Sequence, residues 1–122
     1  MPEIKLTREC MVQATKMGFR LFRNNVGKAW IGESFVAMGG EIVRLNKGDV
    51  IVRRARRFHA GLAEGSADLI GIRDGQFVSV ETKWGRGRLS AAQIAWQAMV
   101  EKMGGLAVNV KDLCGFIDAF TR

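Results

Sequence analysis

The dipeptide Asp74-Gly75 sits between two apolar runs, ADLIGI and QFVSVETK, and nothing else in the chain constrains the fold as tightly. An Asp-Gly pair between strand-like segments specifies a two-residue hairpin turn, and such a turn fixes the register of both strands. Counting outward, Arg73 faces Gln76, Ile72 faces Phe77, Gly71 faces Val78, Ile70 faces Ser79 and Leu69 faces Val80. The next pair is Asp68 facing Glu81. Opposed residues share a face with Cβ atoms about 5 Å apart, and like charges placed there repel. A divalent cation between the two carboxylates would reverse the sign of that interaction, and oxygen-rich sites suit Mg²⁺ or Mn²⁺. Lys83, two residues beyond Glu81, points to the same face. Val78 and Val80 face one way; Ser79, Glu81 and Lys83 face the other. The same alternation also fits a blander strand, with its polar face in water and a surface ion pair on it.

The remaining elements are read from periodicity and punctuation. Leu6, Cys10, Gln13, Ala14 and Met17 share a helical face over residues 3–17, with Pro2 suited to a first turn and Gly18 ending the helix. FRLFRNN reads as a strand from Phe19 to about Asn24. From there to about Arg57, SFVAMGG, EIVRL and DVIVRR suggest short strands or hairpins, followed by the glycine-rich loop HAGLAEGS. A helix over 89–103 opens with a capping box of Ser90 and Gln93 and closes at Gly104-Gly105. LAVNV reads as a strand, and Leu113, Phe116, Ile117 and Phe120 mark a short last helix. This order predicts a mixed α/β fold, and 122 residues make one domain.

Nineteen Lys and Arg against twelve Asp and Glu give a net charge of +7, with a pI of about 10.1. Such an excess favours a polyanion, nucleic acid first and an anionic membrane surface second. The cations cluster at Arg53, Arg54, Arg56 and Arg57 and at Lys83, Arg86 and Arg88, with Arg20 and Arg23 beside them. These would meet backbone phosphates without reading sequence; the RRARR run would otherwise be a solvated basic loop. Asn24 and Asn25 either contact phosphate or sugar or terminate a strand. His59 is expected to be exposed or structural, and Trp96 to be helix core. Cys10 and Cys114 lie far apart outside any CxxC pair, and both read as buried thiols in a reducing compartment. No stretch is apolar enough to span a membrane, and MPEIKLTREC carries no hydrophobic leader, so a cytoplasmic location is expected.

The block GSADLIGIRDGQFVSVETKWGRGRLSAAQ resembles the core of the virus-type replication-repair nuclease (VRR-NUC) family, within the PD-(D/E)xK superfamily. The matching features are Gly61 and Gly65, Ala67-Asp68, the hairpin, Glu81-Thr82-Lys83, the basic turn Arg86 to Arg88, and Ser90 to Gln93, with Arg23 to Asn25 upstream. Ala67 departs from the family's usual proline, which ligates nothing. The resemblance implies a single domain over 1–122 with a restriction-endonuclease-like core, a mixed central β-sheet flanked by helices. It implies that Asp68, Glu81 and the backbone carbonyl of Thr82 bind Mg²⁺ or Mn²⁺, that Lys83 positions the attacking water, and that Gln93 approaches from its helix N-terminus while also capping. It implies a glutamate on the first helix, for which Glu3, nearer the Cys10, Ala14 and Met17 side, is favoured over Glu9. Arg23, Asn24, Asn25, Arg54, Arg57, Arg86 and Arg88 are the expected DNA contacts.

The implied activity is hydrolysis of phosphodiester bonds in branched DNA, as by the junction resolvases that stand-alone bacteriophage members resemble. Cutting two strands at one branch needs two active sites, so a homodimer is expected. The rival readings are another nuclease task (nicking, flap or restriction-type cleavage) and a non-catalytic basic nucleic-acid-binding module. A binding module has no reason to hold opposed carboxylates beside the phosphate path, because they repel it.

Overall fold

The computed structural model describes residues 2–34, 40, 42–83 and 87–121. Its elements, in chain order, are α1 (Pro2–Lys16), β1 (Arg20–Arg23), β2 (Gly27–Ser34), β3 (Val52–Ala60), β4 (Leu69–Arg73), β5 (Gln76–Thr82), α2 (Ala91–Lys102), β6 (Leu106–Val110) and α3 (Leu113–Phe120). The architecture is mixed α/β, as the sequence predicts. Four strands form a mixed sheet in the order β1-β4-β5-β6. The β1/β4 and β4/β5 pairs are antiparallel and β5/β6 is parallel. A parallel pair needs a crossover, and α2 supplies it between β5 and β6.

The hairpin forms with the expected register, Arg73↔Gln76 through Leu69↔Val80. Asp74 at φ 51° and Gly75 at φ 79° both occupy the left-handed region. That is what a type I′ turn demands and why Asp-Gly fits there.

One face of the sheet carries the core. Leu6, Cys10 and Ala14, one turn apart on α1, are buried against Leu21, Leu69, Val78, Val80 and Val110, with Phe116 and Phe120 of α3 completing the cluster. Phe120 lies 4.9 Å from Phe19 and 4.8 Å from Phe116, ring centre to ring centre. Arg73 closes this end, donating to the Phe120 carbonyl at 3.0 Å while lying over both the Phe19 and Phe120 rings.

The other face is covered by α2. Trp96 Nε1 donates to the buried Ser79 hydroxyl at 2.9 Å, and Gln97 and Asn109 exchange two hydrogen bonds of 2.7 and 3.0 Å. Trp96 is half-buried and meets the Phe77 ring edge-on, as part of this second interface. The solvated-face alternative therefore fails: Ser79 and Glu81, expected in water on that reading, are 1% and 4% exposed.

One expectation is refined and one corrected. Within the stretch between Asn25 and the glycine loop, the expected short strands take the form of an antiparallel ribbon, β2 paired with β3, which makes its own two-stranded sheet. The basic run lies in strand β3, not in the alternative solvated loop, and β3 continues through His59 and Ala60 of the expected glycine loop; residues 42–45 of EIVRL are irregular and exposed. Most of SFVAMGG, residues 35–39, lies outside the described residues. Cys10 is buried, but Cys114 is exposed. It sits two positions before Phe116, about 200° around α3, so burying Phe116 and Phe120 turns it outward. No described helix is long and apolar enough to cross a membrane.

Candidate functional site

The C-terminal end of β5, the start of β4 and the first turns of α1 and α2 converge on one cleft of about 470 Å³. Its walls include Glu3, Thr7, Arg23, Asn25, Glu64, Asp68, Glu81, Thr82 and Gln93. Residues far apart in sequence, most of them singled out there as site candidates, thus share one cavity.

Asp68 stands immediately before β4, where Asn24 N–H donates to its carbonyl at 2.8 Å and prolongs the β1/β4 pairing. Its Oδ2 accepts from both the N–H and the hydroxyl of Thr82, each at 2.9 Å. It also lies close enough to hydrogen-bond the Glu81 carboxyl. Asp68 is therefore clamped by the middle residue of the Glu81-Thr82-Lys83 triplet and lies within hydrogen-bonding reach of its first. Thr82 contributes its N–H and side chain, a role beyond the carbonyl that the resemblance assigns it.

Glu81 is buried between sheet and α2. Gln93 Nε2 donates to its Oε1 at 3.1 Å. The other end of the same amide, Oε1, accepts from Ser90 N–H at 2.8 Å, and Ser90 Oγ accepts from Gln93 N–H at 3.2 Å. Capping and carboxylate positioning are thus one constellation. Burial above all pushes Glu81 up to about 8; the Asp68 charge and hydrogen bond push the same way, Lys83 pulls down, and Glu3 adds a smaller upward push. Lys83 itself is half-buried just past β5, its N–H held by the Val110 carbonyl at 2.9 Å.

Of the two first-helix candidates, Glu3 lines the cleft. Glu9 lies elsewhere, 3.9 Å from Lys5 in an exposed i,i+4 pair and beside the Cys10 thiol, which burial first and Glu9 second push up to about 12.

The expected DNA contacts divide. Arg23 and Asn25 are exposed on the cleft rim. Arg54 and Arg57 are exposed on β3 and are not among the residues lining the cleft, and Arg88 is exposed before α2. Arg86, with Trp84, lies outside the described residues. Asn24 is corrected: it is buried, its amide donating to Ser66 Oγ at 2.7 Å and the Ala67 carbonyl at 2.8 Å while accepting from Leu62 N–H at 3.0 Å. Both ends are committed inside the protein, so Asn24 holds the loop that leads into Asp68. That loop also needs Gly65, which has φ +84° and lies so close to the Ala92 backbone of α2 that a Cβ would collide with it. His59 is exposed on β3, away from the carboxylates.

Three participants went unread in the sequence. Thr7 donates to the Glu3 carbonyl at 2.7 Å and lies 3.3 Å from the Thr82 hydroxyl; its signal was the one-turn spacing from Glu3. Ser66 ties its loop together through Ala63 and Asn24. Glu64 adds an exposed carboxylate to the cleft wall.

Among the described residues, no three His, Cys, Asp or Glu side chains form a ready-made metal cluster. The site instead offers two adjacent carboxyl groups, hard oxygen donors of the kind Mg²⁺ and Mn²⁺ take when they retain several waters. A carboxylate forced to hold a proton by burial and by its neighbour is also one that a cation would relieve. The donor set therefore fits such an ion. No protein-family model matches the chain, and no curated protein matches it either.

Proposed function

We propose that this protein is a metal-dependent deoxyribonuclease with a PD-(D/E)xK core of the VRR-NUC kind, acting as a homodimer on branched DNA. One observation carries the reading: Glu81 is buried beside Asp68 at the floor of a cleft whose rim bears Arg23. Burying one carboxyl group against a half-buried second costs stability unless a proton or a cation sits between them. A module built only to grip phosphates gains nothing from that arrangement.

On this reading Asp68, Glu81 and the Thr82 carbonyl hold Mg²⁺ or Mn²⁺, which supplies Lewis-acid stabilisation of the charge developing on the phosphate oxygens. Lys83 orients the attacking water and its ammonium offsets part of the same charge. Gln93 fixes the Glu81 carboxylate, and Thr82 fixes that of Asp68. The water oxygen bonds to phosphorus as it gives up a proton to solvent, the bond to the 3′ oxygen breaks, and that oxygen leaves with the electron pair and takes a proton from solvent. Arg23, Asn25 and Arg88 hold flanking phosphates.

The test is cleavage of linear, flap, splayed and four-way DNA by the purified chain, with and without Mg²⁺ or Mn²⁺. Metal-dependent cutting should favour the branched substrates. Asp68→Ala and Lys83→Ala should each reduce it at least about 100-fold, on the scale of lost charge stabilisation, while thermal unfolding stays cooperative and DNA binding persists. Parental cutting by both variants would remove the site assignment. Binding without cutting under any metal would favour the module.

A further inference from the structure

The β2–β3 ribbon lies outside the central sheet, and among the described elements its strands pack extensively only on each other. At roughly 3.3 Å per residue, its eight- and nine-residue strands span about 25–30 Å. Both faces are open to solvent. Opposed residues share a face, so Lys28, Trp30, Arg57 and His59 line one side and Ile31, Arg56 and Phe58 the other. Trp30 is 59% exposed with the Arg57 guanidinium 5.0 Å above its ring. β3 carries four arginines and no acid.

We propose that this ribbon is an arm that enters a groove of duplex DNA beside the cleavage cleft. Three observations carry it. A second copy docking ribbon to ribbon would set Lys28, Arg56 and Arg57 against like charge, whereas a polyanion complements them. A two-stranded ribbon fits the width of the major groove, where both of its faces meet groove walls. The ribbon also springs from the cleft itself: Asn25 and Val26, just before β2, line it, and Asn24 pins the chain leaving β3 through Leu62. Duplex bound at the carboxylates therefore runs on towards the arm. The inference rests on the nuclease reading only for the identity of the polyanion.

The test is fluorescence anisotropy of the whole chain with a short duplex and the matching single strand, in EDTA so that no cutting occurs. Arg56→Glu/Arg57→Glu should weaken duplex binding by about ten-fold or more and lower the slope of log affinity against log salt by about 2. Lys16→Glu/Lys102→Glu, with the same change in net charge on distant helix ends, should change it by less than about three-fold. Arg56→Ala/Arg57→Ala repeats the measurement if the charge reversal unfolds the chain. Equal losses in both charge-reversed proteins would reduce the arm to bulk charge and overturn the proposal. So would losses confined to the single strand, or a changed oligomeric state on size exclusion. A chain that never cuts yet shows the arm effect sinks only the nuclease; one that cuts and shows no arm effect sinks only the arm.

Discussion

Gln93 reaches Glu81 with its amide nitrogen, at 3.1 Å, while its amide oxygen closes the first turn of α2 on Ser90. The start of a helix and the orientation of a buried carboxyl are therefore set by one side chain. Gln93→Ala should remove both, costing about 1–2 kcal/mol in urea unfolding. Gln93→Glu keeps a capping-box acceptor but sets a third negative charge beside Glu81 and Asp68. It should stay within about 1 kcal/mol of the parent and move metal-dependent cleavage to higher pH. An unshifted pH–rate profile in Gln93→Glu would separate the cap from the site.

Glu81 links stability to pH. Its folded value of about 8 lies above its ordinary 4.5, so the folded chain binds the proton more tightly than the unfolded chain. Stability from this group is then full below about 4.5 and is lost as pH rises through about 8. The loss should be on the order of a few kcal/mol. Unfolding midpoints in EDTA should fall from pH 5 to pH 8.5, and Glu81→Gln should flatten the trend. Mg²⁺ or Mn²⁺ should restore most stability at the alkaline end, where the proton it replaces is already leaving. Equal metal stabilisation at pH 5 and 8.5 would contradict the linkage.

Asn24 and its neighbour Asn25 should separate by phenotype. Asn24→Ala strands buried partners at Ser66, Ala67 and Leu62 and should cost about 1–3 kcal/mol, a Tm fall of several degrees. Asn25, exposed on the rim, should leave Tm unchanged when replaced by Ala and weaken DNA binding instead. Differential scanning fluorimetry beside anisotropy reads both; identical behaviour would refute the division.

The thiols should differ in reactivity. Cys114 is exposed, while Cys10 is buried with its thiol pushed up to about 12. Because the thiolate is the reactive species, a thiol reagent should modify Cys114 in the native chain and Cys10 only on unfolding. Early labelling at Cys10, located by mass spectrometry, would count against the packing of α1.

What could be read from sequence follows from which interactions are local. The Asp74-Gly75 register and the Ser90–Gln93 box depend on residues two to four apart, and both form as expected. Glu81 on the inner face and Asp68 near it follow from the same counting. Strands were expected in the ribbon region, but their bounds and pairing could not be read that way: RRARRFHA has no apolar alternation because neither face is buried. The covering of Ser79 and Glu81 by α2 was hidden for the opposite reason. Alternation shows which residues share a face but not whether another element will bury it, and the partners here are polar: Gln93 for Glu81 and Trp96 Nε1 for Ser79. Asn24 was misassigned because an asparagine after a strand looks alike whether it meets solvent or three buried loop groups.

The lid that α2 forms over Glu81 has a consequence for the order of assembly. Before that helix docks, Glu81 stands in water and is ionised at neutral pH; afterwards it is buried beside Asp68 and favours the neutral form. Closing the second layer of this domain must therefore draw a proton, or a divalent ion, out of solution. The closed second layer is then favoured by acid and loosened by alkali, so a single proton equilibrium tunes how firmly α2 sits on the sheet.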